Sequence, residues 1–277
     1  MYRLLLVTDR EEVVNTFQRV ENLSEKMIAP ITIIKDIQEA IEYLERHTID
    51  AVGYSFRYND PSRLHAYLTE QRPSLPIFQT HHHDDTLQDE LQRIRRFLDR
   101  IRLDDRDEDY DEVQVIQYLR DELMQQLLSR QISDPMELKS RLKLVRGQDL
   151  SLDKPAFLVD FDMPQGELYV DGRWHYGRER LESALRNNFF GRFHDGIYYG
   201  LSMLSPRHIR LIACQSKAAP PEDIQVTADR VQAYIQEKLT QIKTYLDLSL
   251  EIEQFTVLSC LNDIADNEVT ESIEIGV

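Results

Sequence analysis

Two successive folds, α/β and then α+β, are predicted by three observations. Short apolar runs alternate with helix-periodic stretches over residues 1–83. At Asp84 the hydrophobic period changes to a long helical stripe. From Ala156 onward, runs of period two are separated by single helical segments. The first pattern is that of a doubly wound parallel sheet, and the last that of a sheet with helices packed on it.

In the first block, Arg3–Val7 is a continuous apolar run, as a strand buried on both faces requires. Val13, Val14, Phe17, Val20 and Leu23 then form one helical stripe, with Asp9 as its expected cap and Glu12 three residues on. Ile31–Ile34 is a second strand, Ile37, Ala40, Ile41 and Leu44 a second helix, and Ala51–Tyr54 a third strand. Asp60-Pro61 opens a third helix by placing a capping residue before proline, with Leu64, Tyr67 and Leu68 inward. Pro76–Thr80 is a fourth strand.

In the middle block, Leu87, Leu91, Ile94, Leu98 and Ile101 are spaced 4, 3, 4 and 3. That spacing fits a dimer seam, and it equally fits a helix packed on the chain's own sheet. The acidic run 104–112 follows, and Ile116, Leu119, Leu123 and Leu127 continue a stripe in shifted phase, as one long helix or a pair. Ser133-Asp134-Pro135 opens a shorter helix that Arg146-Gly147 ends.

In the last block, Ala156–Asp162 alternates Phe157, Val159 and Phe161. Leu168–Tyr176 carries Asp171-Gly172, a short hairpin signal. Arg178–Asn188 is a helix, Ile197–Met203 and His208–Cys214 are strands, and Asp223–Leu246 is a long helix with Val226, Val231, Ile235, Leu239 and Ile242 inward. Asp247–Gln254 closes the block. The order β-α-β-β-α-β is that of a ferredoxin-like sandwich.

Composition bounds the function classes. Lys plus Arg total 33 against 49 Asp plus Glu, a net charge of −16, with the acids concentrated in 104–112 and in the tail after Asn262. Duplex binding needs a concentrated basic face, which the sequence lacks, so no direct DNA binding is expected. No apolar stretch reaches the roughly 20 residues a bilayer requires. The apolar start Met1–Val7 is too short for a signal peptide. Cys214 and Cys260 are the only cysteines and form no CxxC, which fits a reducing, cytoplasmic setting.

Leu4-Leu5-Leu6-Val7-Thr8-Asp9-Arg10, Ile49-Asp50-Ala51-Val52-Gly53-Tyr54-Ser55 and Leu75-Pro76-Ile77-Phe78-Gln79-Thr80 resemble the first, third and fourth strands of a response-regulator receiver domain, which is flavodoxin-like. The resemblance implies a pocket of carboxylates for Mg²⁺, an accepting Asp, a switching hydroxyl and a Lys. Of these, Asp9 remains from the acidic pair and Thr8 fills its other place. Ser55 stands at the acceptor position, and the switch falls on Thr80 or His81. No fifth strand and no matching Lys follow His83. The chain thus looks like a degenerate receiver that does not undergo aspartyl phosphorylation. Tyr118–Arg130, Glu137-Leu138 and Ala156–Asp162 are similar to YesN-type regulators, which join a receiver by helices to a degenerate GGDEF-like domain and an AraC-type DNA-binding module. Only 23 residues follow Gln254, too few for that last module.

The resemblance makes Asp160 and Asp162 the counterparts of the acids that start an active GGDEF domain, where carboxylates hold Mg²⁺ for two nucleotides. The corresponding hairpin, Met203-Leu204-Ser205-Pro206-Arg207-His208, has neither a glycine pair nor an acid, so no cyclase activity is expected. Asp160 and Asp162 are then either surface groups or the remains of a ligand pocket. His81-His82-His83, with Asp84 and Asp85, suit a transition metal by ligand type. Adjacent histidines on an extended segment point to opposite faces, so a polar loop is the competing reading and no metal site is expected. Trp174, His175 and Tyr176 are either a recognition surface or packing over the second sheet, and both cysteines read as buried.

The domains expected are a pseudo-receiver over 1–103, a helical linker over 104–150, a degenerate GGDEF-like domain over 151–260 and an acidic tail over 261–277. The function implied is non-catalytic bacterial signalling through a protein partner or self-association by helices in 85–131, with no cofactor. The alternative is a small-molecule or nucleotide sensor acting through the GGDEF-like domain.

Overall fold

The fold is that of a computed structural model, which describes residues 1–104, 112–147, 149–191 and 193–264. Most of the acidic run and of the acidic tail lies outside the described residues, and so does the question of whether the helix runs unbroken through 105–111. The chain divides into two compact units. Unit 1 comprises Met1–Arg120 and Ser140–Gly147, and unit 2 comprises Asp121–Lys139 and Gln148–Val277. The segment expected as a linker is therefore shared between the two units.

Unit 1 runs β1 (Leu4–Thr8), α1 (Glu11–Gln18), β2 (Thr32–Ile34), α2 (Ile37–Arg46), β3 (Ala51–Ser55), α3 (Ser62–Gln71), β4 (Ile77–Phe78) and α4 (Asp84–Asp104). It also takes the first part of α5 (Glu112–Leu128) and the end of α6 (Pro135–Leu144). Its four strands are all parallel, in the order β2-β1-β3-β4. β1 is buried along its whole length and alternates between two cores. Leu4 and Leu6 join Val13 and Phe17 of α1 and Leu87, Leu91, Ile94 and Leu98 of α4. Leu5 and Val7 join Ala40, Ile41 and Leu44 of α2 and Leu64 and Leu68 of α3. The sheet is thus covered on both faces, which its unbroken apolar strands required. The 4-3-4-3 stripe of α4 is spent on this core rather than left as a seam. Each fully buried Leu or Ile there contributes roughly 1.5–3 kcal/mol.

Two contacts hold this packing. Phe78 lies so close to β3 that a Cβ at Gly53 would stand 2.1 Å from its ring, so the strand passes there only as glycine. At the end of α3, the buried Arg146 guanidinium donates to the carbonyls of Leu68 (3.1 Å), Arg72 (3.1 Å) and Leu75 (2.9 Å). It satisfies acceptors that the helix end and the turn after it leave free.

Unit 2 runs β5 (Ala156–Asp162), α7 (Gly166–Leu168), α8 (Arg178–Ala184), β6 (Phe193–His194), β7 (Ile197–Met203), β8 (His208–Gln215), α9 (Ile224–Leu246) and β9 (Glu251–Leu258). α7 and α8 each continue as π-helical turns, over Tyr169–Trp174 and Leu185–Phe190. The sheet is antiparallel in the order β6-β7-β8-β5-β9. On one face Phe157, Val159 and Phe161 pack with Leu181, Leu185 and Phe190 and with Val231, Ile235 and Ile242 of α9. On the other, Arg210 donates to the carbonyl of Leu128 in α5 (3.1 Å), and Met124 of α5 stands over Gly200.

The hairpin expected around Asp171-Gly172 is not formed; residues 166–174 are helical. Both edges of β5 are already occupied, by β8 and β9, so a strand folding directly back from β5 has no place to pair. The spacing of Tyr169, Val170 and Trp174 instead places all three against the core below. The last strand begins at Glu251, four residues later than the alternation of Leu248, Leu250 and Ile252 suggests. Leu248 and Leu250 precede it and are still buried in the core. Val226 is 51% exposed rather than inward, at the start of α9.

Candidate functional site

In an open parallel sheet the ligand edge is the carboxyl end of the strands. In unit 1 that edge collects Thr8 at the end of β1 and Asp9 after it, Ser55 at the end of β3, and Gln79, Thr80 and His81 after β4. Thr8 and Ser55 lie side by side in the parallel register. The Thr8 hydroxyl donates to the Ser55 carbonyl (2.6 Å), and the two hydroxyl oxygens are 3.4 Å apart. Two small neutral groups therefore stand at the adjacent carboxyl ends of β1 and β3.

Asp9 does not cap α1. Its Oδ1 accepts the amide of Arg57 (2.7 Å), and its Oδ2 accepts those of Tyr58 (3.0 Å) and Asn59 (3.2 Å). The carboxylate organises the β3–α3 loop. Desolvation pushes its pKa up, but the three amides outweigh that effect and hold it below the ordinary carboxylate value. The sequence expectation failed because the cap pattern is local, whereas the loop that claims Asp9 lies 48 residues away. Replacing Asp9 with alanine is expected to speed hydrogen exchange at amides 57–59 by about tenfold or more, since each loses a charged acceptor. Exchange in β1 and β3 is expected to stay unchanged, which amide-resolved exchange measurements check. Beside the loop, Glu12 bridges Arg10 (2.9 Å) and Arg57 (2.7 Å).

Thr80 is half-buried just after β4, and beyond it the histidines diverge. His81 turns inward, its Nε2 3.6 Å from Glu90 Oε2, beyond hydrogen-bond reach. His82 contributes its carbonyl to the Thr16 hydroxyl (3.1 Å), and the His83 carbonyl accepts Leu87 N and Thr86 Oγ1 at the start of α4. Among the described residues, no three His, Cys, Asp or Glu side chains converge as a metal-binding group.

Glu90 is the group that the sequence reading missed. It is wholly buried on α4 and accepts Gln79 N (3.0 Å), Arg93 Nη1 (2.7 Å) and Ser140 Oγ of α6 (2.6 Å). A signal existed. Position 90 lies three residues after Leu87 and next to Leu91, on the buried stripe itself, where an acid stands only if it is paired.

In unit 2, Asp160 and Asp162 come from β5 and face away from the Phe157–Phe161 core. Asp160 lies directly across from Arg210 in the ladder and Asp162 across from His208. Arg210 grips Asp160 with both ends of its fork, Nε to Oδ1 at 2.8 Å and Nη2 to Oδ2 at 3.2 Å, and His208 Nε2 adds a contact to Oδ1 at 2.8 Å. Asp162 is paired with Arg207, at 3.2 and 3.3 Å. Both acids thus have a guanidinium partner, Asp162 from Arg207 of the 203–208 hairpin and Asp160 from Arg210 of β8. A cleft beside Asp160 is lined by Leu128, Leu158, Gln254, Thr256 and Ile264. Asp160 and Asp162 share this strand, while Asp9, Ser55 and Thr80 sit in unit 1.

Trp174 is half-buried on the core, edge-on to Tyr176 at 5.6 Å, while Tyr176 is 64% exposed. Cys214 is buried in β8, and burial pushes its thiol pKa up. Cys260 is half-buried, and its Sγ donates to Asp263 (3.2 Å); burial, then that contact, raises its pKa. Both thiols are held away from the reactive thiolate form. No described helix is long and apolar enough to cross a membrane. Compared with models of known protein families and with curated proteins, the chain matches none.

Proposed function

We propose that the chain is a non-catalytic regulatory protein of bacterial two-component type, with a receiver-like unit 1 and a GGDEF-related unit 2, acting by contact with a protein partner or a second copy. The strand order 2-1-3-4 is that of the flavodoxin-like sheet without its fifth strand. In unit 2 the order β9-β5-β8-β7, with helices between β5 and β7 and between β8 and β9, supports the split β-α-β reading. The single observation that carries the functional reading is the closed carboxyl edge of unit 1. Asp9 is bound by three backbone amides, and the acceptor position is a serine paired with a threonine. Such an edge offers a scaffold for contact but no carboxylate pair for Mg²⁺ and no acyl-phosphate acceptor.

The apolar stripe of α4 is buried, so self-association through 85–131 would use exposed positions such as Tyr118, which is 60% exposed. Incubation with radiolabelled acetyl phosphate and Mg²⁺ is expected to leave no acid-stable or base-labile label on the protein. Stoichiometric labelling would overturn the reading. Stabilisation by GTP that is lost in Asp160→Ala would instead favour a nucleotide sensor built on unit 2.

A further inference from the structure

At the opposite, amino-terminal edge of the unit 1 sheet lies a cavity of about 380 Å³, within the usual range of ligand pockets (roughly 300–1,000 Å³). Its lining is mixed, with apolar Leu44 and Leu98 buried and Leu75 and Ile101 half-buried, beside polar His47, Thr48 and Ser74. Three arginines also line it, Arg46 at the end of α2, Arg72 after α3 and Arg102 near the end of α4.

Two of these groups are already oriented. Arg102 lies over the Tyr2 ring at 4.1 Å and reaches Asp50 Oδ1 at 3.3 Å, while Arg72 donates from Nη2 to the Leu44 carbonyl at 3.0 Å. Those contacts engage one terminal nitrogen of each fork, and a guanidinium carries five N–H donors. Asp50 also accepts the Arg3 amide at 2.6 Å, so it is satisfied within the protein, and Glu45 is the other acid of the lining. On a chain of net charge −16, a hollow whose lining holds three arginines against two acids is a local reversal of charge.

We propose that this cavity binds a small organic anion with an apolar or aromatic body. The arginine forks hold a carboxylate, sulfonate or phosphate head in their planar, two-point manner. The half-buried Leu75 and Ile101 take the body, as burial of apolar surface favours. This site is separate from the carboxyl edge that carries the regulatory reading, and goes beyond it.

The test is a fluorescence titration of the full chain with 8-anilinonaphthalene-1-sulfonate, alongside the uncharged N-phenyl-1-naphthylamine. Saturable one-site binding of the sulfonate is expected, with the uncharged probe at least about tenfold weaker. Arg46→Glu and Arg102→Lys should each weaken the sulfonate about tenfold or more, with urea midpoints near that of the parent. Arg46 is exposed, and the lysine keeps the charge facing Asp50 while losing the fork. Non-saturable binding overturns the proposal. So does equal affinity for the two probes, or unchanged sulfonate affinity in both folded variants.

Discussion

Replacing Glu90 with alanine is expected to destabilise the protein by about 3–5 kcal/mol, the usual cost of breaking a buried charged pair by removing one partner. Glu90 is wholly enclosed and joins three elements: the Gln79 amide after β4, Arg93 on its own helix and Ser140 on α6. Removing it strands Arg93 and Ser140 and leaves a hollow in the α4 core. The pH dependence has a definite sign. Desolvation pushes the Glu90 pKa up, but His81, Ser140, the Gln79 amide and Arg93 together hold it below the ordinary glutamate value of 4.5. A carboxyl lowered in the folded state contributes stability above its unfolded pKa and loses it as pH falls through the folded one. The difference between the parent and Glu90→Gln in urea denaturation should therefore be largest at neutral pH and shrink below pH 4.5. A difference that grows on acidification would contradict this account.

The second large effect is expected in unit 2. Arg186 is 10% exposed and stands between two carboxylates, Glu182 at 3.2 Å and Asp121 at 3.7 Å. Glu182 in turn accepts the Met203 amide of β7 (2.8 Å) and the Gln125 amide of α5. Arg186→Met removes the cation that stands between the two enclosed carboxylates and is expected to cost about 3–5 kcal/mol. Adding Glu182→Gln should recover part of that loss, because residues in one network do not act additively. The protein's one tryptophan, Trp174, packs against the unit 2 core, so its fluorescence through a urea titration reports this change. Additive losses in the double variant would show that the arginine does not serve the acid.

Unit 1 was largely legible because its signals are local and strong. The apolar run Leu4–Val7 is a strand buried along its whole length, and the stripe Ile37, Ala40, Ile41 and Leu44 falls on α2. Unit 2 was legible where strands alternate, as in Phe157, Val159 and Phe161, and failed at Asp171-Gly172. A turn dipeptide reports what the backbone permits, not whether a sheet edge is free to receive the strand. The candidate sites were legible as positions but not as states. Asp9 and Asp160 were both singled out, yet the groups that occupy them, the 57–59 amides and the fork of Arg210, come from distant sequence. The 4-3-4-3 stripe of α4 could not itself distinguish a seam from a core, since both bury the same helix face.

On the function proposed above, the carboxyl edge of unit 1 is closed by its own hydrogen bonds and takes no part in phosphoryl chemistry. The most direct measurement is a two-dimensional amide NMR titration of the isotope-labelled full chain with Mg²⁺ and then beryllofluoride. The amides of Asp9, Ser55, Arg57 and Thr80 are expected to keep their positions to millimolar concentrations of both. Saturable shifts confined to those amides would show a working acceptor pocket at the edge and would contradict that function.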